Sequence, residues 1–176
     1  MSTLKVNRIE PRTGSNLEIL GFGGGVSNLH KSFRNARFDL PNGVWTRVLH
    51  NVNSIPNPSF SIDTGIFTVG SGEGGWYYVN WNCCFESSVA DNGLRATLAT
   101  IKVNDQDAVR ASSDSKQTGT TILMVPVTSL INLQDGDEVT LYAYGEGHSS
   151  GSVDQIVGSP GVAYSSWTMF RIGDGS

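Results

Sequence analysis

Three histidines, two adjacent cysteines and two aspartate pairs are the residues of this chain best equipped for chemistry. A hydrolytic triad needs an imidazole within reach of a serine or cysteine and of a carboxylate. His30, His50 and His148 are scattered, and none sits in a recognisable motif. Asp105/Asp107 and Asp135/Asp137 imitate a glycosidase pair or a calcium site. As i, i+2 pairs in Gly- and Asn-rich stretches they read instead as turn formers. Zinc needs several Cys and His at spaced positions, which Cys83-Cys84 lacks. Gly21-Phe22-Gly23-Gly24-Gly25 looks like a phosphate-binding loop, but no Gly-Lys-Ser/Thr follows, so it reads as a hinge. The expectation is a protein that is not an enzyme, with no cofactor and no metal.

The elements that must carry these residues are short strands. Charged residues are only 16% of the chain and glycines number 21, a balance suited to strands joined by tight turns and not to long amphipathic helices. From Gly75 to Glu86 the chain alternates. Tyr77, Val79, Trp81, Cys83 and Phe85 are expected in a core, and Tyr78, Asn80, Asn82 and Cys84 toward water or a neighbouring subunit. Neighbouring cysteines on a strand face opposite ways, so two free thiols are expected, at least one buried. Further strands are expected at Trp45–Asn51, Ile66–Val69, Leu94–Val103, Thr121–Pro126, Glu138–Tyr144 and Ser166–Ile172, with a Pro/Asn/Ser loop over Asn53–Pro58. Gly145–Val162, with five glycines and a proline, reads as the largest loop.

Residues 1–29 are expected to form an arm and hinge, and residues 30–176 the main domain. In the arm Leu4, Val6 and Ile9 alternate, then Leu17 and Ile19, with a turn at Pro11–Ser15. Two such strands are marginal alone, so the arm needs copies of itself around a threefold axis or a docking surface. Residues 1–50 hold seven basic residues against three acidic ones, and the remainder five against thirteen. Phosphate backbones are repelled by the acidic part, so no nucleic-acid partner is expected. The basic part either docks on an acidic protein surface or is a solvated arm. Met1–Asn16 has no apolar stretch for a signal peptide, and no segment has the length of a membrane span. Unpaired cysteines fit folding in a reducing cytosol.

Five fragments in order carry a resemblance that covers residues 45–172: Val48-Leu49-His50-Asn51, Thr64-Gly65-x-Phe67-Thr68, Gly75-x-Tyr77-x-Val79, Leu133-x-x-Gly136-Asp137-x-Val139-x-Leu141 and Ser166-Trp167-Thr168-Met169-Phe170. Together they resemble the globular head of complement's q component, a jelly roll of the tumour-necrosis-factor type. Departures are Val79 for an aromatic, Asn104-Asp105 where the family has a turn glycine, Met169 for a glycine, and His50 where a strand aromatic stands, which makes His50 a packing residue. Some relatives bind calcium near the trimer axis, but no ligand set here singles itself out. A second resemblance covers the first 25 residues: Ser2-Thr3-Leu4-Lys5-Val6-Asn7 and the Gly-rich stretch after it are similar to the start of marine and cyanobacterial phage fibre and virion proteins.

The resemblances imply an all-β jelly-roll sandwich that forms a homotrimer, with a short N-terminal β arm, in a phage virion component made in the bacterial cytoplasm. Leu4, Val6, Ile9, Leu17 and Ile19 would anchor the arm to other virion proteins of the tail or capsid. Trp76 and Tyr78, opposite the core set, would line the trimer interface. Tyr144, His148, Asp154 and Tyr164, around the long loop, would contact a host-surface polysaccharide or protein. The expected role is a tail fibre head for host attachment. Alternatives are a capsid decoration protein and a sugar-binding or hydrolytic module. No membrane insertion is expected.

Overall fold

The computed structural model describes residues 27–87, 94–114, 122–147, 154–156 and 165–173. These form thirteen strands and no helix. The strands are β1 (Ser27–Phe33), β2 (Phe38–Leu40), β3 (Thr46–Arg47), β4 (Val52–Ile55), β5 (Phe60–Ser61), β6 (Ile66–Thr68) and β7 (Gly75–Ser87). They continue with β8 (Leu94–Val103), β9 (Gln106–Asp114), β10 (Ile122–Leu133), β11 (Glu138–Gly147), β12 (Asp154–Ile156) and β13 (Ser166–Gly173). All pairings are antiparallel.

The larger sheet runs β2-β12-β7-β13-β1-β4, with β10 paired along β7. The smaller runs β5-β6-β11-β8-β9, with β3 also on β11. They stack as a sandwich because each long strand alternates. On β7, Tyr77, Val79, Trp81, Cys83 and Phe85 are fully buried; facing strands contribute Ala99, Ile101, Val139, Leu141 and Ala143. Met169, in place of the expected glycine, packs in the core beside Trp167.

Several expectations need correction. Trp45–Asn51 is not one strand, because the chain changes sheets there. Thr46 and Arg47 pair with β11, and the Val48 N–H still donates to the Leu141 carbonyl at 2.9 Å. By Asn51 the N–H donates to Phe33 of β1 instead, at 3.3 Å, and Val52–Ile55 becomes β4, taking in the first residues of the loop expected over Asn53–Pro58. β9 is not among the strands the sequence predicts. It is an edge strand with only Val109, Ala111 and Ser113 half-buried, so its alternation is faint. Asn104 and Asp105, both at positive φ (50° and 62°), turn β8 into it without the glycine, since short polar side chains tolerate the left-handed region.

β10 extends past Pro126 to Leu133, because an edge strand tolerates a residue with no N–H to donate. β1 begins at Ser27, so this sheet strand spans the expected boundary at residues 29 and 30. Cys84, expected to face water or a neighbour, is buried; its N–H donates to the Ser165 hydroxyl at 3.1 Å. Both thiols are free, and burial raises the pKa of each. Within Gly145–Val162, β11 continues to Gly147 and Asp154–Ile156 forms β12; the rest of that segment lies outside the described residues.

Candidate assembly face

The even-numbered residues of β7 point away from the core, and the neighbouring strands continue their pattern. Leu130 of β10 and Phe170 of β13 both stand opposite Tyr78, giving a row of three large side chains across three strands. Tyr78 and Phe170 stack at 5.0 Å with an interplanar angle of 29°. Trp76 lies one row beyond at 42% exposure, with Leu130 at 56% and Ile172 exposed beside it. Farther along β10, Met124 and Ile122 are exposed as well. Between the two apolar ends lies an amide and hydroxyl belt. Asn80 donates to Thr128 at 2.6 Å, and Asn82 donates to Asn80 at 3.3 Å.

The Trp76 end is held by its turn. Gly75 has φ +146°, and a Cβ there would stand 2.2 Å from the Gly173 carbonyl oxygen, so only glycine lets β7 start against the end of β13. Arg171 donates twice to the Gly74 carbonyl, at 3.0 and 2.7 Å. The Asp135 carboxylate accepts the N–H groups of Gly72 and Gly74 at 2.6 and 2.7 Å. Those bonds hold its pKa below the usual carboxylate range. Asp137 accepts from Gln134 N–H and the Asn104 amide, both at 2.7 Å. Both aspartates are turn formers, as the sequence implies.

The outer face of the smaller sheet is different. Arg110 lies 4.9 Å over the Trp45 ring, and Trp45 meets Tyr144 at 5.5 Å. Arg47 and Lys102 lie over Tyr142 at 5.5 and 4.6 Å. Arg110 pairs with Asp107, Arg95 with Glu146, and Tyr144 donates to Glu146 at 3.3 Å. Aromatic rings and charges there already have partners of their own.

One arrangement of catalytic residue types does form. Ser32 Oγ lies 3.0 Å from His30 Nε2 and 2.8 Å from His50 Nδ1. All three are buried, and His30 packs on Phe60 at 4.2 Å and Trp167 at 5.1 Å. Burial lowers the His30 pKa to about 4; burial, then Arg34 and His30, lower that of His50 to about 3. The far nitrogens, His30 Nδ1 and His50 Nε2, have no hydrogen-bond partner. Among the described residues neither ring has a carboxylate partner, and all three side chains are closed off from solvent. The sequence reading placed His50 in packing and did not foresee the link to His30.

Of the expected site residues, Trp76 and Tyr78 stand together on the exposed face. Tyr144 is half-buried on the opposite outer face, and Asp154 falls in β12, paired with Leu40 and Ser87. His148, Tyr164 and the arm residues Leu4, Val6, Ile9, Leu17 and Ile19 lie outside the described residues. Leu130 lies beyond the expected strand, which ends at Pro126, whereas Ile122 and Met124 lie within it on the face that β10 leaves exposed.

No family profile and no curated protein matches the sequence. Solved structures do match. The globular domain of a zebrafish complement 1qA protein superposes with a TM-score of 0.56 at 15% identity, covering 82% of this chain and 97% of that one. The Eiger TNF of S. frugiperda gives 0.59 at 12% identity, covering 84% and 94%. Murine APRIL gives 0.51 at 9% identity, covering 80% and 96%. The chain therefore has the complement-q/TNF jelly-roll fold.

Proposed function

We propose that the protein is a non-enzymatic, homotrimeric structural component of a phage virion, most simply the head of a tail fibre that attaches to the host surface. The observation that carries the trimer is the exposed row Leu130–Tyr78–Phe170 with Trp76 and Ile172 beside it. A contiguous apolar patch of this kind on a sheet otherwise well packed marks a protein interface. The jelly-roll fold favours closure by two further copies around an axis, each covering the next protomer's patch. Residues 1–29 would anchor the trimer to tail or capsid proteins. The virion assignment is supported by the likeness of residues 1–25 to phage fibre starts.

Attachment would work by multivalency. Three identical loop sets raise a weak contact to useful strength through effective concentration. Tyr144, His148, Asp154 and Tyr164 remain the proposed contact residues for a host polysaccharide or protein. A capsid decoration role uses the same trimer and arm, and differs only in where the particle carries it.

Sedimentation equilibrium at micromolar concentration should give three times 18.9 kDa, and immuno-electron microscopy of particles should place the protein at the tail. A monomer would overturn the trimer; label on the capsid shell would select decoration. Turnover of host polysaccharide by the purified protein, abolished by a single carboxylate substitution, would overturn the non-enzymatic reading.

A further inference from the structure

We infer that His30, Ser32 and His50 form an acid-sensitive latch that ties β1 and β4 into the sandwich, so that protonation of the two imidazoles releases this edge of the larger sheet first. The device is independent of the proposed role in a virion.

The wiring allows little protonation. One hydroxyl sits between two ring nitrogens, so in the neutral state it donates to one ring and accepts from the other. With both rings cationic, both facing nitrogens carry a proton, and the serine hydrogen loses its acceptor. The described surroundings are aromatic and polar, with no buried carboxylate among them. β5 and β6 present Phe60 and Phe67, and β13 presents Trp167. Asn53 of β4 pairs with Ser32, and its buried side-chain amide oxygen Oδ1 has no partner.

The charged group nearest the pair, from just beyond β1, is itself a cation. Arg34 donates to the carbonyls of Ala36, Arg37 and Leu49 and lies 4.9 Å over Phe38. No carboxylate is among the buried residues described. Two imidazolium ions beside a guanidinium in an aromatic cage can be relieved only by opening to water.

What opens is set by topology. His30 and Ser32 are on β1, and His50 lies just ahead of β4, separated from it by Asn51. Among the described strands β4 pairs with β1 alone and stands at the end of its sheet, so it has the least to hold it once the triplet parts.

Amide hydrogen exchange on the full-length protein, corrected for intrinsic pH dependence, tests this between pH 7 and 4.5. Both folded-state pKa values lie below the ordinary 6.5, so the stability these rings contribute is present above that pH and is lost as pH falls toward 4. Opening of β1 and β4 amides should rise at least about 100-fold over this range, ahead of β7 and β11. In the double variant His30→Phe/His50→Gln the rise should stay within about tenfold. An equal rise in the variant overturns the latch, as does simultaneous exposure of all strands in the wild type. Should the variant not fold, NMR titration of the wild-type imidazoles decides: absence of titration above pH 5 while folded supports the latch, and titration of either ring near 6.5 overturns it.

Discussion

Trp45 and Tyr142, on the outer face of the smaller sheet, lie under Arg110, Arg47 and Lys102, and those cations are matched by Asp107 of β9 and Asp105 of the turn before it. Trp76 and Tyr78, on the larger sheet, have Leu130, Phe170 and Ile172 around them, with Tyr78 stacked on Phe170. Both surfaces carry aromatic rings, and on the smaller sheet Trp45 and Tyr142 are matched by cations of the same protomer. A ring covered by its own guanidinium gains little from a further partner. A ring among aliphatic side chains gains whatever apolar area a partner removes from water, about 25 cal/mol per Å². The contrast is what makes the outer face of the larger sheet the side proposed for another copy.

The strongest way to break the comparison is to charge the bare face. Leu130→Asp should weaken trimer formation by 100-fold or more, read by sedimentation equilibrium, while circular dichroism keeps the β signature, because the residue touches no core position. An unchanged trimer would place the interface elsewhere. Next in size is the turn that displays Trp76. Gly75→Ala meets the Gly173 carbonyl at 2.2 Å and should cost about 2–4 kcal/mol in denaturant unfolding, with weaker assembly as Trp76 shifts. Smallest is the covered face. Arg110→Ala removes one cation–π contact and one exposed ion pair and should cost about 1 kcal/mol or less, leaving the oligomer intact. A loss of assembly from Arg110→Ala would reverse the assignment of the two faces.

Legibility in the sequence followed local signal strength. β7 could be read residue by residue because one face is uniformly buried, and Trp76 and Tyr78 were named from parity alone. The segment from Leu133 to Leu141 was equally clear, since Gly136 and Asp137 punctuate it. β9 was not, because an edge strand buries too little to impose alternation on Asp107, Arg110 and Ser112. β10 was half read, since Pro126 looks like a terminator until the free edge beside it is known. The change of sheets between Val48 and Val52 leaves no local trace at all: the side-chain period runs on while the backbone changes partner. The His30–Ser32–His50 triplet was hidden for the same reason, because it depends on β1 lying beside β4.

That adjacency has a consequence for how the chain reaches its native state. β1 is held between β4 and β13, and Lys31 pairs with Thr168, near the far end of the described chain. A ribosome making the protein would have β1 outside the exit tunnel well before its β13 partner exists. The sandwich therefore closes only after the last strands emerge, and high contact order makes that closure slow. During synthesis β1 carries unfilled backbone donors and acceptors, and in a crowded polysome the nearest complementary edges belong to sister chains.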